Sequence, residues 1–181
     1  IDYITECSDN YPTLLRDIEK PPLALYFLGN LKALENIAIA IVGTRSMTSY
    51  GQRVAEFFAG SFAKVKIAVV SGLAYGIDKT AHEKTLEEGG CAIAVLGGGL
   101  KRMYPKENTD LARRIIKSGG LILTEYPPER SPKPYYFPDR NRIIAGLSNA
   151  VLIAEAGIKS GALITAQHAI MQDKKLFLVP G

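Results

Sequence analysis

Two short segments of the chain set a glycine, a hydroxyl and a cation side by side: "GTRS", holding Gly43, Thr44, Arg45 and Ser46, and "KSG", holding Lys159, Ser160 and Gly161. Glycine lets a ligand come close to the backbone. A guanidinium offers a planar fork that fits phosphate oxygens. Two further segments extend the set. "SGLAYGID" supplies Ser71 and Gly72, and "GGGLKRMYP" supplies Lys101 and Arg102 beside Tyr104, a combination that can hold a phosphate and stack a base. The stretch "FPDRNRIIAGLS" is the least expected. Arg140, Asn141 and Arg142 stand directly before the apolar run Ile143, Ile144, Ala145, where a helix is expected to open. A helix start is electropositive and favours acids, so cations there call for an anion nearby. Each motif also has a plain structural reading: a glycine turn, a Ser/Thr cap and a solvated cation.

Other chemistries fit less well. Asp78 and His82 are spaced for an i,i+4 pair, but no nucleophile accompanies them, and Asp78 suits a helix start by its charge alone. Glu155 ends an apolar run and is expected to orient one of the arginines by an ion pair. His168, among apolar neighbours, reads as structural. A dehydrogenase would show G-x-G-x-x-G after its first strand and an acid after its second; here Gly43 alone is in place, and Ser71-Gly72 stands where the acid would be. Two His and two Cys, all distant in sequence, make no metal set. Phosphoryl transfer lacks its lysine loop and its acidic metal ligands. No cofactor is implied.

The segments that hold these residues follow a repeating pattern. Six apolar, β-branched runs ("IAIAIV", "IAVV", "CAIAVL", "LILT", "AVLIA", "LFLV") are separated by stretches of helical spacing, such as 51–64 and 77–88. The runs are nearly continuous, so both faces of each strand should be buried. Strand–helix alternation of this kind predicts a doubly wound, mostly parallel α/β sheet with helices on both faces, an extended Rossmann-like domain over 36–181. Residues 1–35, with Pro21-Pro22, form a lead-in expected to pack on that core. In a parallel sheet all carboxyl strand ends emerge on one edge, and ligands bind in the crevice beyond it. Five of the six segments that follow the runs carry glycine, and every motif above lies on that edge.

The bulk numbers agree. A chain of 181 residues, 47% hydrophobic and 22% charged, suits one globular domain with a full core. No apolar run is long enough to span a bilayer. The chain opens on Ile1-Asp2 with no leader, as an excised piece of a longer protein would, and its two unpaired-looking cysteines fit a reducing cytoplasm. Net charge is +4, yet residues 101–142 alone carry ten Lys/Arg against five Asp/Glu. The whole excess lies in one quarter of the chain, as expected if that quarter faces a polyanion. Arg113, Arg114 and Lys117 read as a solvated helix face.

Taken together and in order, "VGTRSMTSYG", "SGLAYGID", "GGGLKRMYP", "TEYPP", "FPDRNRIIAGLS", "EAGIKSGALITA" and "VPG" resemble the DNA-processing protein A family (DprA, also called Smf) over essentially the whole chain. The resemblance implies a non-enzymatic protein that binds and protects single-stranded DNA, loads the recombinase RecA during natural transformation, and forms a homodimer through its Rossmann domain. It implies backbone-phosphate contacts at Gly43, Thr44, Arg45, Ser71, Gly72, Arg140, Asn141, Arg142 and Lys159-Ser160-Gly161, with Lys101, Arg102 and Tyr104 as a flanking loop. Family members commonly carry a small N-terminal helical domain and often a C-terminal winged helix, and they continue past "VPG"; none of this is in the sequence. The fold is shared with the cytokinin-activating nucleotide hydrolases, often labelled lysine decarboxylase-like, which makes a nucleoside-monophosphate phosphoribohydrolase the alternative. Their P-G-G-x-G-T-x-x-E signature corresponds to "AGIKSGALITA", which lacks the glutamate.

Overall fold

The computed structural model describes residues 1–180. Its centre is one eight-stranded sheet in the order β1-β2-β6-β5-β4-β3-β7-β8. The strands are β1 (Asp2–Thr5), β2 (Ala24–Gly29), β3 (Ala38–Gly43), β4 (Ala68–Ser71), β5 (Ala92–Val95), β6 (Leu121–Thr124), β7 (Ala150–Glu155) and β8 (Lys175–Leu178). The six from β3 to β8 are the predicted runs, and they pair with one another in parallel throughout. The fold is the expected mostly parallel α/β sheet.

Helices cover both faces because each strand alternates between two apolar layers. Ala40, Val42, Val70, Val95 and Ile153 pack on one side with Ile143, Ile144 and Ala166. Those helical partners belong to α5 (Tyr136–Gly146) and α6 (Ala162–Met171), joined there by the single turn α1 (Thr13–Arg16). Ile41, Val69, Ala94, Ile122 and Leu152 face the other way. They meet α2 (Ser49–Lys64), α3 (Ile77–Glu87) and α4 (Thr109–Lys117). Alanine is frequent at this second contact: Ala55, Ala59, Ala81 and Ala112 on the helices and Ala92 and Ala94 on the strands are fully buried. Small side chains on both partners let helix and sheet approach closely.

The lead-in does more than pack on the core. Its two strands extend the sheet, β2 pairing antiparallel with β6 from Tyr26↔Thr124 to Gly29↔Leu121, and β1 pairing antiparallel with β2. Leu15, Ile18 and Leu25 join the larger apolar cluster, and the Tyr11 hydroxyl donates to the Pro22 carbonyl at 2.7 Å.

The chain reverses direction across the sheet at β3. From there it proceeds to β4, β5 and β6 on one side and crosses back to β7 and β8 on the other. The point between the carboxyl ends of β3 and β7 is where such sheets leave a crevice.

Because β2 and β6 share hydrogen bonds and core, the lead-in should unfold with the body. Replacing fully buried Leu25 with Ala is expected to lower the free energy of unfolding by about 3 kcal/mol. Urea denaturation followed by circular dichroism should show one shifted transition; a separate early transition would place the lead-in outside the cooperative unit.

Candidate functional site

A crevice of about 370 Å³ opens at this switch point. Gly43, Thr44 and Arg45 approach it from the end of β3, Lys159, Ser160 and Gly161 from the turn before α6, and Arg140 and Asn141 from α5. Eight of the fifteen residues singled out in the sequence therefore line one cavity. Arg45 and Lys159 are exposed at its mouth, and among the described residues neither has an acidic partner. The Arg45 guanidinium lies 5.6 Å from the centre of the Phe137 ring, which forms another wall.

The two helix starts near the crevice differ. Thr48 caps α2, its hydroxyl accepting from the Gly51 N–H at 3.1 Å. The Glu155 carboxylate accepts from both the Thr48 N–H (2.9 Å) and the Thr48 hydroxyl (3.2 Å), and it packs where a Cβ on Gly51 would stand. Glu155 therefore holds the place of an anion at α2, and it pairs with no arginine, contrary to the expectation from sequence. The start of α6 has no acid in its first turn; the Ala162 N–H donates to the Ser160 hydroxyl at 3.3 Å, and the helix opens on the crevice at Ala162. No carboxylate stands in that turn to meet its dipole. Asn141 steadies the turn by donating to the Gly161 carbonyl at 3.1 Å.

The arginines of "FPDRNRIIAGLS" do not open the helix. It begins at Tyr136, with Asp139 as the acid of its first turn, so Arg140 lies in its second turn. Arg140 is buried, and its Nη1 donates to the carbonyls of Gly72 (2.8 Å) and Val95. Its Nε has no partner. A Cβ on Gly72 would stand 2.5 Å from the guanidinium, so that glycine is required by Arg140 and not by a ligand. The Gly72 N–H donates to Asp78 at 3.0 Å, and burial pushes the Asp78 carboxyl up, opposed by the charge of Arg140. Burial brings the Arg140 guanidinium down to about 10, with Asp78 opposing, so it stays charged at neutral pH. Cation and carboxyl form the floor of the crevice.

Other residues are placed elsewhere. Arg142 makes two 2.6 Å bonds to the Glu125 carboxylate just after β6 and donates to the Lys20 carbonyl, so its charge is paired within the chain and it ties α5 to β6 and to the lead-in. Ser71 is buried and donates to the Ile41 carbonyl at 2.7 Å. Ser46 is exposed beside the crevice, its N–H donating to the Thr44 hydroxyl at 3.2 Å. Lys101, Arg102 and Tyr104 line a neighbouring cleft, with Lys101 ion-paired to Glu129 at 2.7 Å. The expected Asp78–His82 pair does not form: both ring nitrogens of buried His82 lack partners. Several lining residues were not among the predicted contacts, Phe137 and Asp78 among them. Phe137 was legible, since it sits three and four residues before Arg140 and Asn141 and shares their helix face.

Two stability measurements follow. Replacing Arg140 with Met leaves two buried carbonyls and Asp78 without their cation, and should cost about 3–5 kcal/mol in urea denaturation, whereas Arg45→Ala should stay within about 0.5 kcal/mol. His82 supplies a pH signature. Burial first, and Arg140 second, push its imidazole from 6.5 down to about 3. The unfolded chain takes up a proton that the folded chain refuses, so stability falls as pH drops below about 6.5. Between about pH 7 and pH 5 the protein should lose about 2 kcal/mol more than a His82→Leu variant. Parallel losses would mean that the imidazole is not shielded.

The chain matches the family model "DNA recombination-mediator protein A" over residues 2–181. It is 41% identical to Protein Smf of Escherichia coli over 174 residues, which is 96% of this chain and 46% of that protein. Two solved structures superpose closely. DNA processing protein A from Streptococcus pneumoniae gives a TM-score of 0.93 at 40% identity, covering 99% of this chain and 63% of that one. DNA processing protein A from Helicobacter pylori, a structure concerned with that protein's single-stranded DNA binding mode, gives 0.90 at 34% identity, covering 100% and 82%. The chain spans about half the length of curated relatives such as the Smf proteins of Escherichia coli and Synechocystis. With fold and sequence in agreement over nearly its full extent, this chain belongs to the DNA recombination-mediator protein A family.

Proposed function

We propose that this chain binds single-stranded DNA without sequence preference, gripping it through its phosphates at the crevice between β3, β7 and α6. The observation that supports this most directly is the positive field there: Arg45 and Lys159 without acidic partners, the start of α6 with no acid in its first turn, and buried Arg140 beneath. A phosphate would neutralise both exposed cations and lie at the positive end of the α6 dipole. Phe137 beside Arg45 offers a face for an unpaired base, which a duplex cannot present. The Helicobacter pylori relative, described by its binding of single-stranded DNA, lends support from outside the chain.

In this reading Gly43, Thr44, Arg45, Lys159, Ser160 and Gly161 meet the strand, and Arg140 and Asn141 shape the floor. Ser71, Gly72 and Arg142 act through the protein and not on the ligand. Family membership supports a wider role that we propose with it: protection of incoming DNA and loading of the RecA recombinase during natural transformation, in the cytoplasm. No described helix is long and apolar enough to cross a membrane. A homodimer is supported by the apolar surface that α6 and β8 leave open, where Ile170, Met171, Phe177 and Leu178 are exposed at the sheet's end. The chain acts by binding, and incubation with nucleoside monophosphates should release no free base.

A salt titration tests the reading. Affinity for a single-stranded oligonucleotide, followed by fluorescence anisotropy, should fall steeply with salt and exceed that for the duplex. The slope of log K against log salt should become shallower by about 0.7 for each of Arg45→Ala and Lys159→Ala, equally for all base sequences. Unchanged binding in the double variant would refute the crevice as the DNA site.

A further inference from the structure

The last residue of β7 is out of step with its strand. Ile153 packs with α5 and α6, and Ala154 packs with α2. Strict alternation would send the next side chain, Glu155, back to the side of α5 and α6. The pairing of β3 with β7 shifts between Val42 and Gly43, so Gly43 stands opposite Glu155 and not Ala154. A bulge of this kind re-aims a side chain. Here it turns the Glu155 carboxylate to the start of α2.

Glu155 thereby brackets a short segment. Its carbonyl accepts from the Thr44 N–H at 2.8 Å, while its carboxylate accepts from the Thr48 N–H at 2.9 Å and the Thr48 hydroxyl at 3.2 Å. One residue therefore holds both ends of the segment 44–48, which carries Arg45. The near end has a second tie, the Ile77 N–H donating to the Thr44 carbonyl at 3.2 Å. Among the described residues no other hydrogen bond joins Thr48 to the sheet. Arg45 is exposed and without an acidic partner, so the backbone beneath it sets where its guanidinium stands, 5.6 Å from the Phe137 ring centre. A cation on a loose loop must be ordered each time it meets a phosphate, and a cation on a fixed segment loses less freedom.

We propose that Glu155 is a positioning residue for the crevice: the bulge and the carboxylate fix the segment 44–48 so that Arg45 meets a phosphate already in place. Glu155 acts through Thr44 and Thr48 and makes no ion pair with Arg45. The proposal rests on the reading that Arg45 contacts the strand. The sign of the effect separates this role from plain electrostatics. A carboxylate near a polyanion repels it, so deleting the charge alone should tighten binding. Loss of the bracket should weaken it.

The test titrates a single-stranded oligothymidine against the full chain at several salt concentrations. Glu155→Ala should weaken binding about fivefold at about 0.1 M salt and make the salt slope shallower by about 0.7, the share of one phosphate contact. Glu155→Gln keeps an oxygen that can accept from Thr48 but lacks the charge, so it should keep the original slope and bind no more weakly than the unaltered chain. Adding Arg45→Ala to Glu155→Ala should cost little more, because both changes remove the same contact. Amide hydrogen exchange reads the bracket without DNA: the Thr48 amide should exchange faster in Glu155→Ala than in Glu155→Gln. The Thr48 cap on the Gly51 N–H remains in both variants, and urea denaturation serves as the folding control. Unweakened binding in Glu155→Ala, equal weakening in the Ala and Gln variants, full additivity with Arg45→Ala, or unaltered Thr48 exchange would each overturn the positioning role. The crevice reading is judged separately: Arg45→Ala alone binding like the unaltered chain would remove that reading, and the positioning role with it.

Discussion

A single buried cation sets the geometry at the carboxyl edge of the sheet. Arg140 reaches from α5 to the carbonyls that follow β4 and end β5, so one guanidinium fixes a helix against two strands. Taking a charge out of water is costly, and the cost is offset here by those carbonyls and by Asp78, which in turn holds the Gly72 amide. Gly72 has no side chain because the guanidinium occupies that space. Once Arg140 is placed, its neighbours follow: Asn141 is positioned to hold the turn before α6, and Phe137 stands one turn earlier on the same face. The crevice is what remains above this cation.

The field of that crevice is uneven, and the cause lies in the chain. Glu155 brings a carboxylate to the start of α2 from within, whereas the start of α6 has only the Ser160 hydroxyl and no acid in its first turn. In the proposed reading a phosphate would lie toward Lys159 and Ser160, with Arg45 on the other side of the crevice. Two helices that look alike in sequence, each preceded by a glycine- and hydroxyl-rich turn, differ because one of them has its anion built in.

Much of the fold was legible in the amino-acid order. The six parallel strands and the helices between them announce themselves by continuous apolar runs and helical spacing. The two antiparallel strands did not: β1 is four residues long with an exposed outer side, and β2 follows two prolines, so neither shows a run buried on both faces. The site was legible in part. Glycine and hydroxyl placement located the edge, but the direction of each side chain had to come from the helix. Residues 140, 141 and 142 turn about 100° apart around the axis, so they could not all meet one ligand. One faces the sheet, one the α6 turn and one the lead-in. Glu155 and Arg142 were both assigned to the crevice by proximity in sequence, and both are committed to partners that only the packing of distant segments supplies.

The alanine-lined contact between the sheet and α2, α3 and α4 bears on how this molecule could change over time. Interiors packed on such short side chains have nothing to trim, and each methylene added would force the layers apart. Drift in that body is confined to near-equal volumes. Novelty in ligand preference would then arise in the glycine- and proline-rich connections above the carboxyl edge, where insertions displace water and not neighbours.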